Sequence, residues 1–293
     1  MTKCGYVAIL GIPNAGKSTL MNKIIGVDLS IVTHKPQTTR NKIAGIYTDR
    51  DSQIIILDTP GIIEPKYELQ SYMMKEVSSS VNDADTVIHL IDITQPRLQD
   101  QLIIIEPYRD FLRRKKTLTV LNKIDEISQS ELERKISEIS GKSLNDELIP
   151  VSAKYHFNIK KLIEEIKSSL PESNFLFEPD ELTNRPERFF VAEIIREKIL
   201  ELFEEEIPYS VFVEITEFKD RKGNGSFISA DIILDRETQK AIIIGKSGSA
   251  LKQLGTTARI SIEQFLSRKV YLDLFVKVRK NWRKNESFLK RKF

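Results

Sequence analysis

The segment Gly11–Ser18, which has the sequence GIPNAGKS, constrains the fold of this 293-residue chain more than any other. It follows the apolar run YVAIL and precedes an amphipathic stretch, Ser18–Ile25, so the pattern predicts a strand, a glycine-rich loop and a helix in direct succession. In such a unit the backbone N–H groups of the loop converge on a phosphate at the helix amino terminus. The match to G-x-x-x-x-G-K-[ST] therefore predicts a phosphate-binding loop.

Further apolar runs alternate with helical patterns over residues 1–171. The runs are continuous in Val, Ile and Leu, as in strands buried on both faces of a parallel sheet, and they are QIIILD, TVIHLID, TLTVLN and LIPVS. The helical patterns are Ser18–Ile25, Gln99–Arg113, Gln129–Ser140 and Ile159–Leu170. We expect the earlier run KIAGIYTD to form an antiparallel edge hairpin with QIIILD. The alternation predicts a doubly wound, mostly parallel α/β domain that binds ligands at the carboxyl ends of its strands.

The pattern changes after Pro171. Residues 172–187 contain two more prolines and show neither helical nor strand periodicity, which predicts a linker between domains. From residue 188 to 293 the order of patterns is helix, strand, strand, helix, helix, strand, with the two strands separated by the turn-prone DRKGNG. We therefore predict a second, α+β domain over 188–293.

Composition narrows the class of protein. The chain is 40% hydrophobic and 30% charged, and it lacks the ~18 consecutive apolar residues that a membrane-spanning helix requires. Its one cysteine, Cys4, permits no intrachain disulfide, which suits a cytoplasmic protein, and the three histidines show no metal-ligand spacing. His89, in the run TVIHLID, is interpreted as a core histidine. The net charge of +3 is unevenly distributed, because the C-terminal tail from Arg268 onward is densely basic and contains only two acidic residues, Asp273 and Glu286. This tail predicts a polyanionic partner; a solvated tail is the alternative.

The loop after TLTVL predicts the nucleotide base. It reads Asn122-Lys123-Ile124-Asp125, and a carboxylate at Asp125 can accept hydrogen bonds from guanine N1–H and the 2-amino group. Adenine would leave that carboxylate unpaired, so the site would discriminate strongly. Lys123 is expected to lie along the base plane, and Ser152-Ala153-Lys154 to offer a backbone N–H to the guanine carbonyl. The ligand is predicted to be GTP or GDP, held at its phosphates by Gly11, Asn14, Ala15, Gly16, Lys17, Ser18 and Thr19.

A Mg²⁺ site is predicted beside the phosphates. Ser18 would ligate the ion, and Asp58, in the motif Asp58-Thr59-Pro60-Gly61, would hold it directly or through water. A threonine from the polar segment VTHKPQTTRNK would complete the shell in the GTP state and leave after hydrolysis. We choose Thr39, with Thr38 as the alternative. The N–H of Gly61 is expected to sense the γ-phosphate.

The sequence lacks one residue that contributes to catalysis in Ras-like enzymes. In Ras-like enzymes a glutamine after the D-x-x-G glycine orients the attacking water, and here that residue is Ile62. We therefore expect slow hydrolysis, with catalytic roles for Asn14, Lys17, Thr39 and Gly61. The alternative is a domain that binds GTP without hydrolysing it.

A second Gly-Lys-Ser triplet occurs in IIIGKSGSALK, residues 242–252. A phosphate-binding loop of the first kind would need a glycine at Lys240, so this interpretation fails. The G-x-x-G between two helical patterns instead resembles the loop of a KH module, which clamps the backbone of about four single-stranded nucleotides. The predicted RNA-binding residues are Ile243, Ile244, Gly245, Lys246, Ser247, Gly248 and Lys252.

Taken together, GIPNAGKS, PQTTR, DTPG, NKID, SAK, IIIGKSG and VKVRKNW make the chain resemble the Era family of bacterial GTPases over essentially its full length. The resemblance implies a type II KH domain that binds the 3′ end of 16S ribosomal RNA and a role in maturing the 30S subunit. It also implies that an apolar residue at Ile62 is common in this class. Relatives with an asparagine at the place of Asn14 use it to hold a potassium ion, and we extend that role to Asn14 as a hypothesis.

We further expect a monomer, and a peripheral contact with the inner membrane is an additional hypothesis. Two other functions stay open on the sequence. One is an RNA-binding chaperone whose G domain does not hydrolyse GTP, and the other is a GTPase signalling switch with a protein effector.

Overall fold

The computed structural model describes residues 1–142, 147–221 and 225–292. The chain forms two compact units, of which the first contains Met1–Lys66 and Gln70–Asn184 and the second contains Tyr67–Leu69 and the residues from Arg185 onward. Within the described residues, no helix has the length and apolar character needed to cross a membrane.

The first unit is built on one six-stranded sheet. Its strands are β1 (Lys3–Leu10), β2 (Ile43–Thr48), β3 (Ser52–Asp58), β4 (Thr86–Asp92), β5 (Lys116–Asn122) and β6 (Leu148–Pro150). Its helices are α1 (Lys17–Ile25), α2 (Glu68–Asp83), α3 (Leu98–Ile103), α4 (Arg109–Leu112), α5 (Gln129–Ile139) and α6 (Ile159–Ser169). The strand order is β2-β3-β1-β4-β5-β6, with β2 antiparallel to β3 and the other pairs parallel. The predicted doubly wound, mostly parallel sheet and its antiparallel edge hairpin are confirmed.

The topology determines where a ligand can bind. Every residue of β3 and β4 is buried, which explains their continuous apolar sequences. β1 lies between β3 and β4; the connection after β1 leads to β2 and β3 on one side of the sheet, whereas the connection after β4 leads to β5 on the other side. Such a switch point leaves a crevice at the carboxyl ends of the strands. The loop that follows β1 therefore lies at the position that this fold class uses for ligands.

One predicted helix is wrong in its extent. The pattern Gln99–Arg113 predicts a single helix, whereas the structure has α3, a 3₁₀ turn at Glu106–Tyr108 and then α4. Pro107 lies inside that turn. Because proline has no N–H to donate and its ring clashes with the preceding turn, a helix cannot run through it undisturbed.

The segment predicted as a linker lies along the first unit. Gln53 is fully buried in β3, and its Oε1 accepts hydrogen bonds from Leu176 N at 2.9 Å and Phe177 N at 3.0 Å. On the edge strand β2, Ile46 N donates to Leu182 O at 2.8 Å. The segment up to residue 184 is thus held against β2 and β3 by hydrogen bonds to its backbone, and the division into residues 1–171, 172–187 and 188–293 stays a prediction.

The second unit has one three-stranded sheet. Its helices are α7 (Glu187–Leu202), α8 (Ile207–Ser210), α9 (Glu237–Ile244), α10 (Ser249–Leu266) and α11 (Glu286–Lys292), and its strands are β7 (Phe212–Arg221), β8 (Gly225–Leu234) and β9 (Lys269–Val278). β7 is antiparallel and β9 parallel to the central β8. The predicted order of the second domain is confirmed, with α8 and α11 added. Residues 222–224 of the predicted turn DRKGNG lie outside the described residues.

The C-terminal segment is folded, which corrects its interpretation as a tail. Trp282, Phe288 and Leu289 are all at most 3% exposed. The Trp282 ring lies 5.8 Å from that of Phe212, and its Nε1 donates to Ser210 O at 3.0 Å. Aromatic residues of this size contribute strongly to a core, and the buried indole N–H has its partner. The basic residues of the segment surround this apolar anchor.

We expect Trp282→Ala to lower the free energy of unfolding of the second unit by about 3–5 kcal/mol, because it leaves a large cavity and an unpaired carbonyl. Urea denaturation followed by far-UV circular dichroism measures this. Lys284→Ala, which changes an exposed neighbour, is the matched control and should shift the transition little. Equal transitions for the two variants would show that the segment does not contribute to the core.

Candidate functional site

A cavity of about 370 Å³ opens at the carboxyl ends of the strands in the first unit. Its wall is formed by the loops after β1, β5 and β6, by Gly61 and by the segment between α1 and β2. The predicted nucleotide, catalytic and metal residues in this wall are Asn14, Gly16, Lys17, Ser18, Thr19, Thr39, Gly61, Asn122, Lys123, Asp125, Ala153 and Lys154. Of the other predicted residues, Gly11, Ala15 and Ser152 belong to the same loops and Asp58 is the last residue of β3; none of the four lines the cavity. Parts of the chain more than 130 residues apart in sequence thus form one site.

The loop after β1 has the geometry of an anion site. Gly16 has φ +94°, and a Cβ there would overlap the side-chain amide of Asn122, so only glycine fits. Lys17, the first residue of α1, is 6% exposed, and its Nζ donates to Gly11 O at 3.2 Å and Ile12 O at 2.9 Å. Burial lowers the pKa of Lys17 to about 8, although the nearby Asp58 carboxylate opposes the shift. The loop therefore holds a buried ammonium whose charge an anionic ligand would stabilise.

The three predicted metal ligands come together. Ser18 Oγ donates to Asp58 Oδ2 at 2.7 Å and lies 3.0 Å from Thr39 Oγ1, which is itself 3.5 Å from Asp58 Oδ2. Thr38 instead donates to Lys35 O at 2.6 Å, so the geometry favours Thr39 over Thr38.

The chemistry of this cluster fits a hard cation. Asp58 is fully buried, and its Oδ1 accepts no hydrogen bond from the described residues. Burial raises the pKa of Asp58, while the hydrogen bond from Ser18 and the charge of Lys17 act in the opposite direction. A buried carboxylate with an unused oxygen beside two hydroxyls is a donor set that Mg²⁺ accepts.

Asn122 holds the base end of the cavity together. Its Nδ2 donates to Ala15 O at 2.8 Å, and its Oδ1 accepts from Ala153 N at 3.0 Å. The loops after β1, β5 and β6 are therefore joined through one buried side chain. The N–H of Ala153 is used in this contact, which leaves the neighbouring Lys154 as the source of a backbone N–H for a ligand. Asp125 lies exposed on the cavity wall.

Sequence reasoning missed Asp92, the last residue of β4. It is 1% exposed, and its Oδ2 lies 2.7 Å from Lys123 Nζ. The available signal was an acidic residue at the carboxyl end of a buried strand; Asp58 shares that position, but it was identified by the motif Asp58-Thr59-Pro60-Gly61, which has no counterpart at Asp92. The interpretation of His89 as a core residue is confirmed, since its Nε2 pairs with Gln101 O at 3.1 Å and burial lowers its pKa to about 4.

Two further residues bear on hydrolysis. Ile62 is 5% exposed and belongs to the apolar core of the first unit, so its side chain does not reach into the cavity. Asn14 is exposed with φ +62°, and its Nδ2 donates to His34 O at 2.8 Å. This contact links the phosphate loop to the segment that carries Thr39.

The second Gly-Lys-Ser triplet lies between α9 and α10. A Cβ on Gly245 would be 2.7 Å from Ala250 Cβ, so the chain turns too tightly there for a side chain, whereas a Cβ on Gly248 would meet open space. A groove beside this loop has a volume of about 420 Å³ and is lined by Gly248, Leu251, Lys252, Gly255, Thr256, Arg259, Leu272 and Leu274. Lys246 and Lys252 are exposed. Apolar walls with basic side chains are suited to bases and phosphates respectively.

The structure refines the set of predicted RNA-binding residues. Ile243 is fully buried in the core of the second unit and Ile244 is partly exposed, so Ile243 supports the loop and offers no surface. Arg259, Leu272 and Leu274 line the groove and were missed. In VYLDLFVKV every second residue is apolar, which indicates that the two faces of β9 differ. This pattern does not predict which element packs beside either face and so forms the other wall of the groove.

The comparisons with known proteins cover both units. Residues 6–123 match the family described as 50S ribosome-binding GTPase, and residues 206–283 match the KH domain family. The chain is 43% identical over 289 residues to a chloroplastic ERA-like GTPase of Arabidopsis thaliana, covering 98% of this chain and 68% of the relative. It is 42% identical over 286 residues to GTPase Era of Lacticaseibacillus paracasei, covering 98% of this chain and 95% of the relative.

Two solved structures are similar along their whole length. One is Era in complex with MgGDPNP and nucleotides 1506–1542 of 16S ribosomal RNA, with a TM-score of 0.92, 40% identity and coverage of 100% of this chain and 99% of that chain. The other is a variant of Aquifex aeolicus Era bound to GDP·AlF₄⁻, with a TM-score of 0.91, 40% identity and 99% coverage of both chains. Since both units and nearly every residue between them take part in these matches, the chain belongs to the Era family of GTPases.

Proposed function

We propose that this GTPase binds the 3′ end of small-subunit ribosomal RNA through its KH domain and assists maturation of the 30S subunit under control of GTP. The proposal that the protein binds GTP is supported most strongly by the way the predicted residues are arranged around the cavity of the first unit. Ser18, Thr39 and Asp58 meet at one part of the site, and Lys123 and Asp125 line its wall with Asn122 behind them. The RNA part is supported by the groove beside the G-x-x-G loop and by the solved Era complex.

At the base, Asp125 accepts hydrogen bonds from guanine N1–H and the 2-amino group. Lys123 lies along the base plane, and the N–H of Lys154 donates to the guanine carbonyl. Asn122 positions these groups, because it ties the loops after β5 and β6 to the phosphate loop. Because these loops are already held together before the ligand binds, little conformational entropy is lost on binding.

At the phosphates, Lys17 exchanges its two carbonyl partners for phosphate oxygens. Ser18, Asp58 and Thr39 would hold Mg²⁺, which neutralises charge on the β- and γ-phosphates when bound. Thr39 belongs to the segment between α1 and β2, so loss of the γ-phosphate releases that segment from the site. This order–disorder change is the proposed switch.

Hydrolysis is proposed to be slow because Ile62 has no group that could orient water and is turned into the core. Lys17 and the N–H of Gly61 remain to stabilise charge that develops on the γ-phosphate. Thr39, as a proposed Mg²⁺ ligand, would help to hold the γ-phosphate in place on the side that faces the ion.

We expect Asp125→Asn to weaken GDP binding by about 100-fold or more, because two charge-assisted hydrogen bonds to guanine are lost. Xanthosine diphosphate should gain affinity, since its 2-oxo group can accept from the new amide. Isothermal titration calorimetry measures both. Glu133→Gln on α5 removes an exposed carboxylate outside the cavity and serves as control. An unaltered preference for GDP in Asp125→Asn would refute the assigned role.

We also propose that Asn14 holds a potassium ion beside the phosphates. In support, Asn14 lies exposed at the cavity, and its Nδ2 bond to His34 O leaves the carboxamide oxygen directed away from that contact. Such a cation would place positive charge beside the phosphates, in addition to the charge of Lys17.

The rate of GTP hydrolysis should be about tenfold higher in potassium than in sodium buffer of the same ionic strength. Asn14→Gly should remove the difference, and glycine accommodates the φ of +62° at this position. Phosphate release under single-turnover conditions is the measurement. Equal rates for the unaltered protein in the two salts would exclude the potassium site.

For the RNA groove, we expect Gly248→Asp to weaken binding of a synthetic RNA with the small-subunit 3′-end sequence by at least about tenfold, because it places a negative charge where phosphates approach. The added Cβ would meet no atom within 4 Å, and aspartate is one of the few side chains that adopt a left-handed φ such as the +79° here, so the substitution strains the loop backbone without a steric clash. Fluorescence anisotropy measures RNA binding, and a urea denaturation curve followed by far-UV circular dichroism checks that the second unit, which contains Gly248, is still folded.

The matched control is Thr238→Asp, which adds the same charge at an exposed position in the first turn of α9, away from the groove lining and from the basic C-terminal segment. RNA affinity that is unchanged in Gly248→Asp would favour the protein-effector alternative for this unit.

We propose that the protein acts as a monomer in the cytoplasm, where its buried thiol Cys4 stays reduced. A peripheral contact between the basic C-terminal segment and the membrane stays a hypothesis.

A further inference from the structure

The side chain of Lys123 is held in place by Asp92, a residue that does not line the cavity. Its backbone has φ +68°, and its side chain runs along the cavity wall to an ammonium that lies 2.7 Å from Asp92 Oδ2. The Lys123 side chain is 26% exposed and the Asp92 side chain 1%. The lysine is therefore shared between the cavity and a buried anion that does not itself line the cavity.

The backbone around Asp92 is fixed by contacts from three other elements, α3, β5 and α5. Gln101, on α3 and 3% exposed, uses both ends of its amide: its Oε1 accepts from Asp92 N and its Nε2 donates to Asp92 O, each at 2.9 Å. Asp92 lies directly opposite Asn122 in the parallel register of β4 and β5, and Ile93 N donates to Asn122 O at 3.1 Å. On the far side, Lys135 from α5 donates to Ile93 O at 2.5 Å. The end of β4 consequently has little freedom to move.

The carboxylate itself is fully engaged. Oδ1 accepts from Thr94 N at 3.0 Å and Thr94 Oγ1 at 2.6 Å, and Oδ2 accepts from Gln95 Nε2 at 3.1 Å and from Lys123 Nζ at 2.7 Å. Burial alone would raise the pKa of Asp92, but the hydrogen bonds from Lys123 and Thr94 outweigh it and hold the pKa below its usual range. Asp92 is thus an oriented anion at neutral pH.

We propose that Asp92, oriented by Gln101, is a positioning residue for guanine recognition that acts through Lys123. This inference rests on the proposed guanine site. A lysine side chain is long and flexible, and ordering it when the nucleotide arrives would reduce affinity. With its ammonium anchored on a buried carboxylate, the aliphatic stem of Lys123 is already laid along the wall against which the base would pack. Groups that orient a contacting residue are often nearly as important as the contact itself.

The competing explanation is purely structural. Asp92 also bonds to the backbone and hydroxyl of Thr94, so it could serve only to end β4. Both explanations predict some loss of stability on substitution. They differ in whether the effect on nucleotide binding passes through Lys123, and a double-mutant cycle measures this directly.

The first measurement compares Asp92→Asn with unaltered protein by calorimetric titration of GDP and of a non-hydrolysable GTP analogue. We expect both affinities to fall about tenfold and by the same factor, since the base is common to the two ligands. Asp85→Asn is the matched control: Asp85 precedes the opposite end of β4, where it accepts from Tyr6 N at 2.8 Å, and its substitution should leave both affinities within about twofold of the original. Unequal loss for GDP and the GTP analogue would instead indicate damage at the phosphate end and overturn the proposal.

The second measurement closes the cycle with Lys123→Met, which keeps an apolar stem and removes the ammonium. Asp92→Asn should cause no further loss of GDP affinity in the Lys123→Met background; a full additional tenfold loss would show that Asp92 acts independently of Lys123 and refute the inference. Gln101→Leu provides an independent variant, because it releases the Asp92 backbone while leaving the ion pair, and it should lower both affinities in the same direction. An unaltered protein that fails to bind GDP would refute the proposed guanine site, which is a different result from full additivity.

Discussion

The side chain of Asn122 is the contact on which the nucleotide cavity depends. Its two polar atoms are each satisfied by the backbone of a different loop, at Ala15 and Ala153, and the residue is 2% exposed. A buried amide that lost either partner would leave an unsatisfied polar group, which costs about 1–3 kcal/mol. The three loops that build the site are therefore held in one relative arrangement. The same contact explains Gly16, because the Asn122 amide occupies the space that a Cβ would need.

The tripeptide Gly-Lys-Ser occurs twice in the chain, and the proposed function assigns a different kind of phosphate to each copy. At Gly16-Lys17-Ser18 the lysine is buried at the start of a helix that follows a parallel strand, and burial lowers its pKa to about 8. At Gly245-Lys246-Ser247 the lysine is exposed between two helices, beside an open groove. A compact, buried site can surround a single triphosphate, whereas an exposed loop along a groove can follow an extended backbone. The helices and strands before and after each triplet therefore determine whether its lysine is buried or exposed, and with it which kind of phosphate the loop suits.

A recurring feature of the first unit is an acidic residue at the carboxyl end of a strand. Asp58 ends β3 beside the predicted magnesium ligands, and Asp92 ends β4 beside the base-reading loop. Both are buried, and both are stabilised by cations or hydroxyls from neighbouring loops. Buried carboxylates are costly unless paired, so their presence at the ends of the two strands that flank β1 indicates that the crevice holds charged groups in fixed positions. Asp58 has an oxygen left for a ligand, whereas Asp92 has all its capacity engaged, which separates a binding role from a positioning one.

Much of this protein could be predicted from its sequence. Apolar runs such as QIIILD specify the sheet, because period and composition are local properties, and the motif at Gly11–Ser18 specifies the phosphate loop because its glycines answer local backbone demands. The break at Pro107 was also visible in the sequence but was overlooked. By contrast, the choice of Thr39 over Thr38 depends on which hydroxyl reaches Ser18, and no property of the segment itself decides it.

The sequence by itself determined the two folds and the family, and it predicted the chemical character of the two Gly-Lys-Ser loops. Only the tertiary structure decided that Asp92 supports Lys123, that Ile243 is buried in the core and that the basic C-terminal segment packs through Trp282. The physical reason is the same in each case. These features arise from contacts between elements that are distant in sequence, and the packing that creates them has no counterpart in the pattern of any single segment.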